Sequence, residues 1–229
     1  MAPAARRLSV IIPTLDEQDH IRLLLNDRAA LRHNGHELIL VDGGSSDSTR
    51  AAATGLVDRI IATGRGRALQ MNAGAGAASG EIFWFLHADS RVPPGAATTL
   101  IRAYTDGHIW GRFDIRLSGR HWLLRVVERS MNLRSCVSGM ATGDQGIFVA
   151  REAFAAVGGF PELPLMEDIA LSKALRRYAP PHCIRKPRLL TSSRRWEEHG
   201  ILRTILLMWR LRLAYLLGIA PHRLARLYR

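Results

Sequence analysis

Several carboxylates in this chain stand directly after apolar runs, a placement suited to holding a cation or a phosphorylated ligand. The plainest case is residues 82–90. There Ile82, Phe83, Trp84, Phe85 and Leu86 lead without a break into His87, Ala88 and Asp89, and Pro93-Pro94 closes the segment. A short apolar run without alternation reads as a strand buried on both faces of a parallel sheet. Ligands of open α/β sheets lie beyond the carboxyl ends of the strands, so Asp89 stands where a metal ion or a phosphate would be handled. Its other reading is a cap on the helix after the two prolines. Asp16 and Glu17 follow residues 8–13 in the same way, and Asp42 follows residues 38–41.

The elements that must position these groups repeat. Leu8, Val10, Ile11 and Ile12 form a buried strand, and Ile21, Leu24, Leu25 and Leu31 mark a helix closed at Asn34-Gly35. Residues 38–41 form a second strand, and the turn Asp42-Gly43-Gly44-Ser45-Ser46-Asp47 then caps another helix. A third strand over residues 57–62 leads through Gly64-Arg65-Gly66-Arg67 to a helix over 68–78 and then to the central strand. Three strand–helix repeats predict a mostly parallel sheet with helices on both faces. The first strand lacks the G-x-G-x-x-G turn of a dinucleotide fold, and there is no G-x-x-x-x-G-K-[ST] loop. A glycine- and arginine-bearing loop ahead of a helix suits phosphate oxygens, though Gly, Asp and Ser are also ordinary turn residues.

Composition bounds the alternatives. With 229 residues, 47% hydrophobic and 23% charged, the chain is expected to fold as a soluble globular protein. Cys136 and Cys183 have no zinc-ligand spacing and are expected to be reduced thiols in a cytosolic protein. The N-terminal stretch carries no recognisable export signal. The net charge of +12 is uneven, because residues 185–229 hold eleven Lys/Arg against two acids. Such a tail attracts nucleic acid, acidic lipid or a phosphorylated substrate without choosing among them.

The residues around these strand ends, together with Gly143-Asp144-Gln145-Gly146, Gly158-Gly159-Phe160-Pro161, Glu167-Asp168 and Arg195-Trp196, resemble the family 2 glycosyltransferases. The resemblance is nearest to the small bacterial transferases associated with radical-SAM and arsenosugar-type gene clusters. It implies a GT-A type, Rossmann-like α/β fold and an inverting, metal-dependent transfer of a sugar from a nucleoside-diphosphate sugar to an acceptor hydroxyl. It also implies a divalent cation, Mn²⁺ or Mg²⁺, as cofactor. Pro13, Thr14, Glu17, Asp42, Gly43, Arg65 and Ala88 match the donor-nucleotide site, with Asp42 on the base and Arg65 near the diphosphate. Asp89 matches the metal ligand and Asp168 the catalytic base. Asp144, Gln145, Glu167, Arg195 and Trp196 match the acceptor side. The sequence departs from the family at Gly43, where a second Asp is usual, and at His87, where the D-x-D pattern begins with Asp. Imidazole suits Mn²⁺ better than Mg²⁺.

This implies a transferase domain over residues 1–196, with a nucleotide-binding half at 8–90 and an acceptor half at 91–196, followed by a basic amphipathic helical tail at 197–229. Residues 109–117 read as a strand, 122–133 as a helix, 134–142 as a small-residue loop that is either an acceptor lid or a plain connection, 167–178 as a helix and 183–190 as the last strand. Residues 201–219 are too interrupted by Arg203, Arg210 and Arg212 for a simple membrane span. The segment is open to three uses: lying on an anionic membrane surface, packing on the domain, or forming a homodimer seam. The expected location is cytoplasmic, with a peripheral place at the inner membrane face open, and no nucleic-acid partner is expected. Two rival readings are a nucleotidyltransferase that forms a sugar nucleotide and a non-catalytic nucleotide or nucleic-acid binder.

Overall fold

The computed structural model describes residues 8–228, with the side chains of residues 20, 23, 24, 26 and 27 left aside. The N-terminal stretch read for an export signal, and the Leu24 side chain in the first helical pattern, lie outside the described residues.

The first half alternates strand and helix: β1 (Leu8–Thr14), α1 (Gln18–His33), β2 (Glu37–Asp42), α2 (Thr49–Ala53), β3 (Arg59–Ala62), α3 (Arg67–Ala77) and β4 (Ile82–Phe85). The second half runs α4 (Ala96–Thr105), β5 (Trp110–Leu117), α5 (Trp122–Ser138), a 3-10 turn (Gly143–Gln145), β6 (Phe148–Ala150), α6 (Arg151–Ala156), α7 (Glu167–Tyr178) and β7 (His182–Thr191). Three helices follow: α8 (Arg194–Glu198), α9 (Ile201–Leu216) and α10 (Pro221–Tyr228).

The strands form one seven-stranded sheet in the order β3-β2-β1-β4-β6-β5-β7. Only β6 runs against its neighbours, β4 and β5. The unalternating apolar strands have a direct structural reason. Val10, Ile12, Leu38, Leu40 and Trp84 face one helical layer, while Ile11, Ile39, Val41, Phe83 and Phe85 face the other. Successive strand residues point to opposite faces, so a sheet covered on both sides needs apolar residues at every position. Helix α3 crosses closely, since a Cβ at Gly74 would stand 2.5 Å from Ile11 Cγ2.

The structure corrects three expectations. The central strand ends at Phe85, so His87 and Asp89 occupy the turn beyond it. Helix α5 continues to Ser138 and only residues 139–142 remain a loop, because Ser135 and Ser138 donate their hydroxyls to the carbonyls of Asn132 and Arg134 within the helix. Cys136 and Cys183 are joined as a disulfide between α5 and β7, not reduced thiols, with their Cα atoms 6.0 Å apart; that spacing is within disulfide reach.

The chain after β7 folds back onto the domain. Leu211 of α9 and Leu224 of α10 are buried in one cluster with Met166 and Ile169 at the head of α7. Among the described residues, no helix is long and apolar enough to cross a membrane.

Candidate active site

The carboxyl ends of β1, β2 and β4 lie side by side, and the loops leaving them are locked together. Thr49 Oγ1 accepts the Glu17 N–H at 2.8 Å, Asp47 accepts the Gln18 N–H at 3.0 Å, and Asp16 accepts the Ser46 N–H at 2.8 Å. Gln70 of α3 donates at 2.8 Å to both the Thr14 and Val41 carbonyls, pinning the ends of β1 and β2. That amide explains the departure at Gly43, where a Cβ would sit 3.0 Å from the Gln70 side chain.

The turn bearing His87 and Asp89 is held from beneath. The fully buried Arg28 of α1 donates to the carbonyls of His87 and Ser90, at 3.0 and 2.6 Å. Asp89 Oδ1 is buried and has no hydrogen-bond partner. A buried carboxylate oxygen without a donor is costly, and a cation is one way of satisfying it. His87 packs against Gly143, where a Cβ would collide with its ring. Burial, then the charge of Arg67, lowers the His87 pKa and keeps the ring neutral at pH 7, the form that ligates metals.

Across from this turn, α7 begins with Glu167 and Asp168. Met166, directly before them, has φ 70°, a left-handed conformation that a non-glycine residue adopts at a cost of about 1–3 kcal/mol. Its packing against α9 and α10 holds that turn, so the returned C-terminal helices help aim the two acids. Asp168 accepts the Gly143 N–H at 2.9 Å through one oxygen and the Ile169 N–H at 2.7 Å through the other. Burial nevertheless raises its pKa. Glu167 is buried, and desolvation followed by the neighbouring Asp168 charge raises its pKa to about 7.

A cleft of about 670 Å³ joins the two sides. Pro13, Thr14, Glu17, His87, Ala88, Asp89, Asp144, Glu167, Asp168, Arg195 and Trp196 all line it, so acids far apart in sequence converge as expected. Four expected site residues do not line it. Arg65 is exposed and lies 3.9 Å from Asp16. Asp42 turns its carboxylate back to the Gly44 and Ser45 N–H groups, at 3.2 and 3.1 Å, and Gly43 packs on Gln70. Gln145 is wholly buried, accepting from the Thr142 N–H at 3.1 Å and donating to Ser135 at 2.8 Å, so it supports the fold and does not face an acceptor. Arg195 lines the cleft but is already engaged, donating to the Tyr228 carbonyl at 2.7 Å and stacking 3.8 Å over the Tyr228 ring.

The cleft also holds residues that the sequence does not single out. Arg67, the first residue of α3, lines the cleft where Arg65 does not. Burial opposes its charge, but Glu167, Asp144 and Asp168 favour it, and the guanidinium pKa is raised. The signal was present as the second arginine of the Gly64–Arg67 loop. Met208, Trp209, Arg212 and Tyr228 also line the cleft, and nothing in the local sequence places them there.

The raised carboxyl pKa has a stability consequence. Glu167 keeps its proton more tightly when folded than when unfolded, so its contribution is full below about pH 4.5 and is lost as pH rises through about 7. Glu167→Gln is therefore expected to stabilise the protein above about pH 8, by up to about 3 kcal/mol, and to give no gain below about pH 4. Thermal melts of both proteins across this range check it, and a pH-independent difference would refute the shift.

The parallel sheet with one reversed strand, and a cleft at its carboxyl edge lined by acids from both halves, define an α/β domain of the GT-A type. Residues 9–156 match the model of glycosyl transferase family 2, and the chain belongs to that family. It is 31% identical over 155 residues to an undecaprenyl-phosphate 4-deoxy-4-formamido-L-arabinose transferase of Yersinia pestis, covering 62% of this chain and 47% of that protein. An uncharacterized glycosyltransferase of Nostoc sp. is 28% identical over 112 residues, which are 46% of this chain and 35% of that one. The chain thus spans about half or less of the length of these relatives. Among solved structures, glucosyl-3-phosphoglycerate synthase from Mycobacterium tuberculosis, in complex with Mn²⁺, UDP and glucosyl-3-phosphoglycerate, matches with TM-score 0.67 and 21% identity, over 95% of this chain and 81% of that one. S. aureus TarS in complex with UDP-GlcNAc matches with TM-score 0.65 and 18% identity, over 81% and 58%. These structural likenesses establish the shared fold.

Proposed function

We propose that this chain moves a sugar from a nucleoside-diphosphate sugar to an acceptor hydroxyl, with inversion and with the help of a divalent cation, Mn²⁺ or Mg²⁺. The observation that carries the reading is the meeting of Asp89, with its unpartnered inner oxygen, and Asp168 in one cleft. The nucleotide sugars and Mn²⁺ bound by the solved relatives support the donor class and the cation.

Pro13, Thr14, Glu17 and Ala88 form the donor wall of the cleft, with the Asp42-Gly43 turn behind it. Asp89 would hold the cation, with neutral His87 beside it. Among the described residues no group of three or more His, Cys, Asp or Glu is placed to hold a metal ion, so donor phosphate oxygens and water would complete the shell. When bound, a divalent cation neutralises part of the charge that grows on the departing diphosphate. Arg67 does the same from the protein side, and Arg65 stands farther out. The acceptor oxygen attacks the anomeric carbon opposite the diphosphate, whose oxygen leaves with the bonding electron pair. The hydroxyl proton passes to Asp168. A single displacement of this kind inverts the centre. Asp144, Glu167, Arg195 and Trp196 form the acceptor side, where Trp196 offers an aromatic face to a sugar ring.

Incubation with nucleotide sugars and Mn²⁺ is expected to release nucleoside diphosphate in step with glycosylated product. Pyrophosphate release from a nucleoside triphosphate would replace this reading with the nucleotidyltransferase one.

The outer faces of α5 and α9 favour a peripheral membrane place. Trp122, Leu133 and Val137 on α5, and Leu202, Leu206 and Leu213 on α9, are between 59% and 80% exposed. Residues 201–229 hold six arginines and no acid. An anionic membrane surface satisfies both features, whereas a symmetric dimer across this face would set like charges together. Vesicles rich in phosphatidylglycerol are expected to float the protein and to lose it on Leu206→Glu; failure of the wild type to float rejects this placement.

A further inference from the structure

We infer that the acceptor carries a phosphate group, received by Arg212 of α9 with the charge of Arg134 of α5 close by; this rests on the sugar-transfer reading above. Arg212 lines the cleft and, among the described residues, makes no hydrogen bond or ion pair. Arg134 does not line the cleft; its Nε and Nη2 are buried and without hydrogen-bond partners, and the charge of Arg212 acts on it. The nearby Arg112 also leaves its Nε unpartnered, but it pairs with Asp114 and donates to the Asn132 carbonyl at 2.6 Å. Its charge is answered within the fold, and those of the other two are answered only in part.

Two guanidiniums close enough to affect one another repel, and unpaired buried N–H groups cost further stability. Burial lowers the pKa of both, and that of Arg134, further depressed by Arg212, falls to about 10. The acids acting on them are Asp144 and Asp168, on the side assigned to the acceptor. A phosphate monoester brings close to two negative charges and three acceptor oxygens, enough for both guanidiniums, and the planar fork of Arg matches it in a way a sugar hydroxyl does not. Helix α9 carries no acidic residue that would compete.

The test uses the full chain with Mn²⁺ and saturating UDP, titrated calorimetrically with glycerol 3-phosphate and, in parallel, with glycerol. Glycerol 3-phosphate is expected to bind and glycerol not to. Arg212→Gln is expected to weaken that binding by about tenfold or more while leaving UDP affinity unchanged, with Arg212→Lys falling between and the remote Arg50→Gln behaving as wild type. The inference is overturned if Arg212→Gln binds glycerol 3-phosphate as tightly as the wild type. It is equally overturned if UDP abolishes the binding, since the arginine then serves the donor. Failure of UDP to bind would sink the sugar-transfer reading alone, and the same titration without UDP would still test the phosphate site. Vesicles of phosphatidate and of phosphatidylcholine distinguish the source. An Arg212-dependent preference for phosphatidate assigns a lipid headgroup, and dependence confined to the soluble probe assigns a soluble acceptor.

Discussion

Asp168→Asn is expected to lower kcat by about 10²–10⁴-fold, the range lost with a positioned general base, while nucleoside-diphosphate affinity stays within about twofold. The substitution keeps the shape of the side chain but removes the proton acceptor. It also has a structural cost. Both carboxylate oxygens accept backbone N–H groups, from Gly143 and Ile169, so an amide must turn its NH₂ toward one of them. That mismatch is worth about 1–3 kcal/mol and should appear as a lower Tm with an unchanged circular dichroism spectrum. Steady-state kinetics with UDP titration separate the effects, and turnover within a few fold of wild type would remove Asp168 from its role. In the wild type, burial raises the Asp168 pKa above the ordinary carboxylate range, with Glu167 raised beside it, so activity is expected to climb with pH as Asp168 loses its proton.

The second large effect is expected at Asp89. Asp89→Asn should cut kcat/KM by about 10²–10³-fold, the scale seen when one stabilising group for developing charge is removed. The wild type is expected to bind UDP more tightly with Mn²⁺, and the substitution should erase that gain. Because Oδ1 has no partner in the fold, the amide breaks no hydrogen bond at that oxygen, and Tm without metal should change little. Calorimetric titration of UDP with Mn²⁺ and with EDTA measures this without turnover. A variant whose UDP binding still responds fully to Mn²⁺ would place the cation elsewhere.

Much of the scaffold could be read from local pattern. Residues 10–12 and 38–41 are apolar at every position because the sheet is covered on both sides, and α7 spans Glu167–Tyr178, the bounds expected for it. Where the readings failed, local chemistry had two outcomes. Leu86 continues the apolar run because it is buried; β4 closes at Phe85, and Leu86 adds only the bond from its N–H to the Ile11 carbonyl of β1, at 3.0 Å. Ser135, Cys136 and Ser138 look like loop residues, yet they bond within the helix or across to β7. Gln145 looks like an exposed polar residue beside Asp144, yet its amide closes a buried network.

By itself the sequence determined the alternation of strands and helices and the placing of acids at strand ends, since burial on two faces and turn chemistry act over a few neighbouring residues. Tertiary structure alone decided which cations meet those acids. Arg65 and Arg67 are two positions apart, but only the second, the first residue of α3, lines the cleft. Arg212 arrives because Leu211 and Leu224 bury against Met166 and Ile169 and draw the end of the chain across the site. That outcome depends on contacts between segments more than forty residues apart, which no periodicity within either segment encodes.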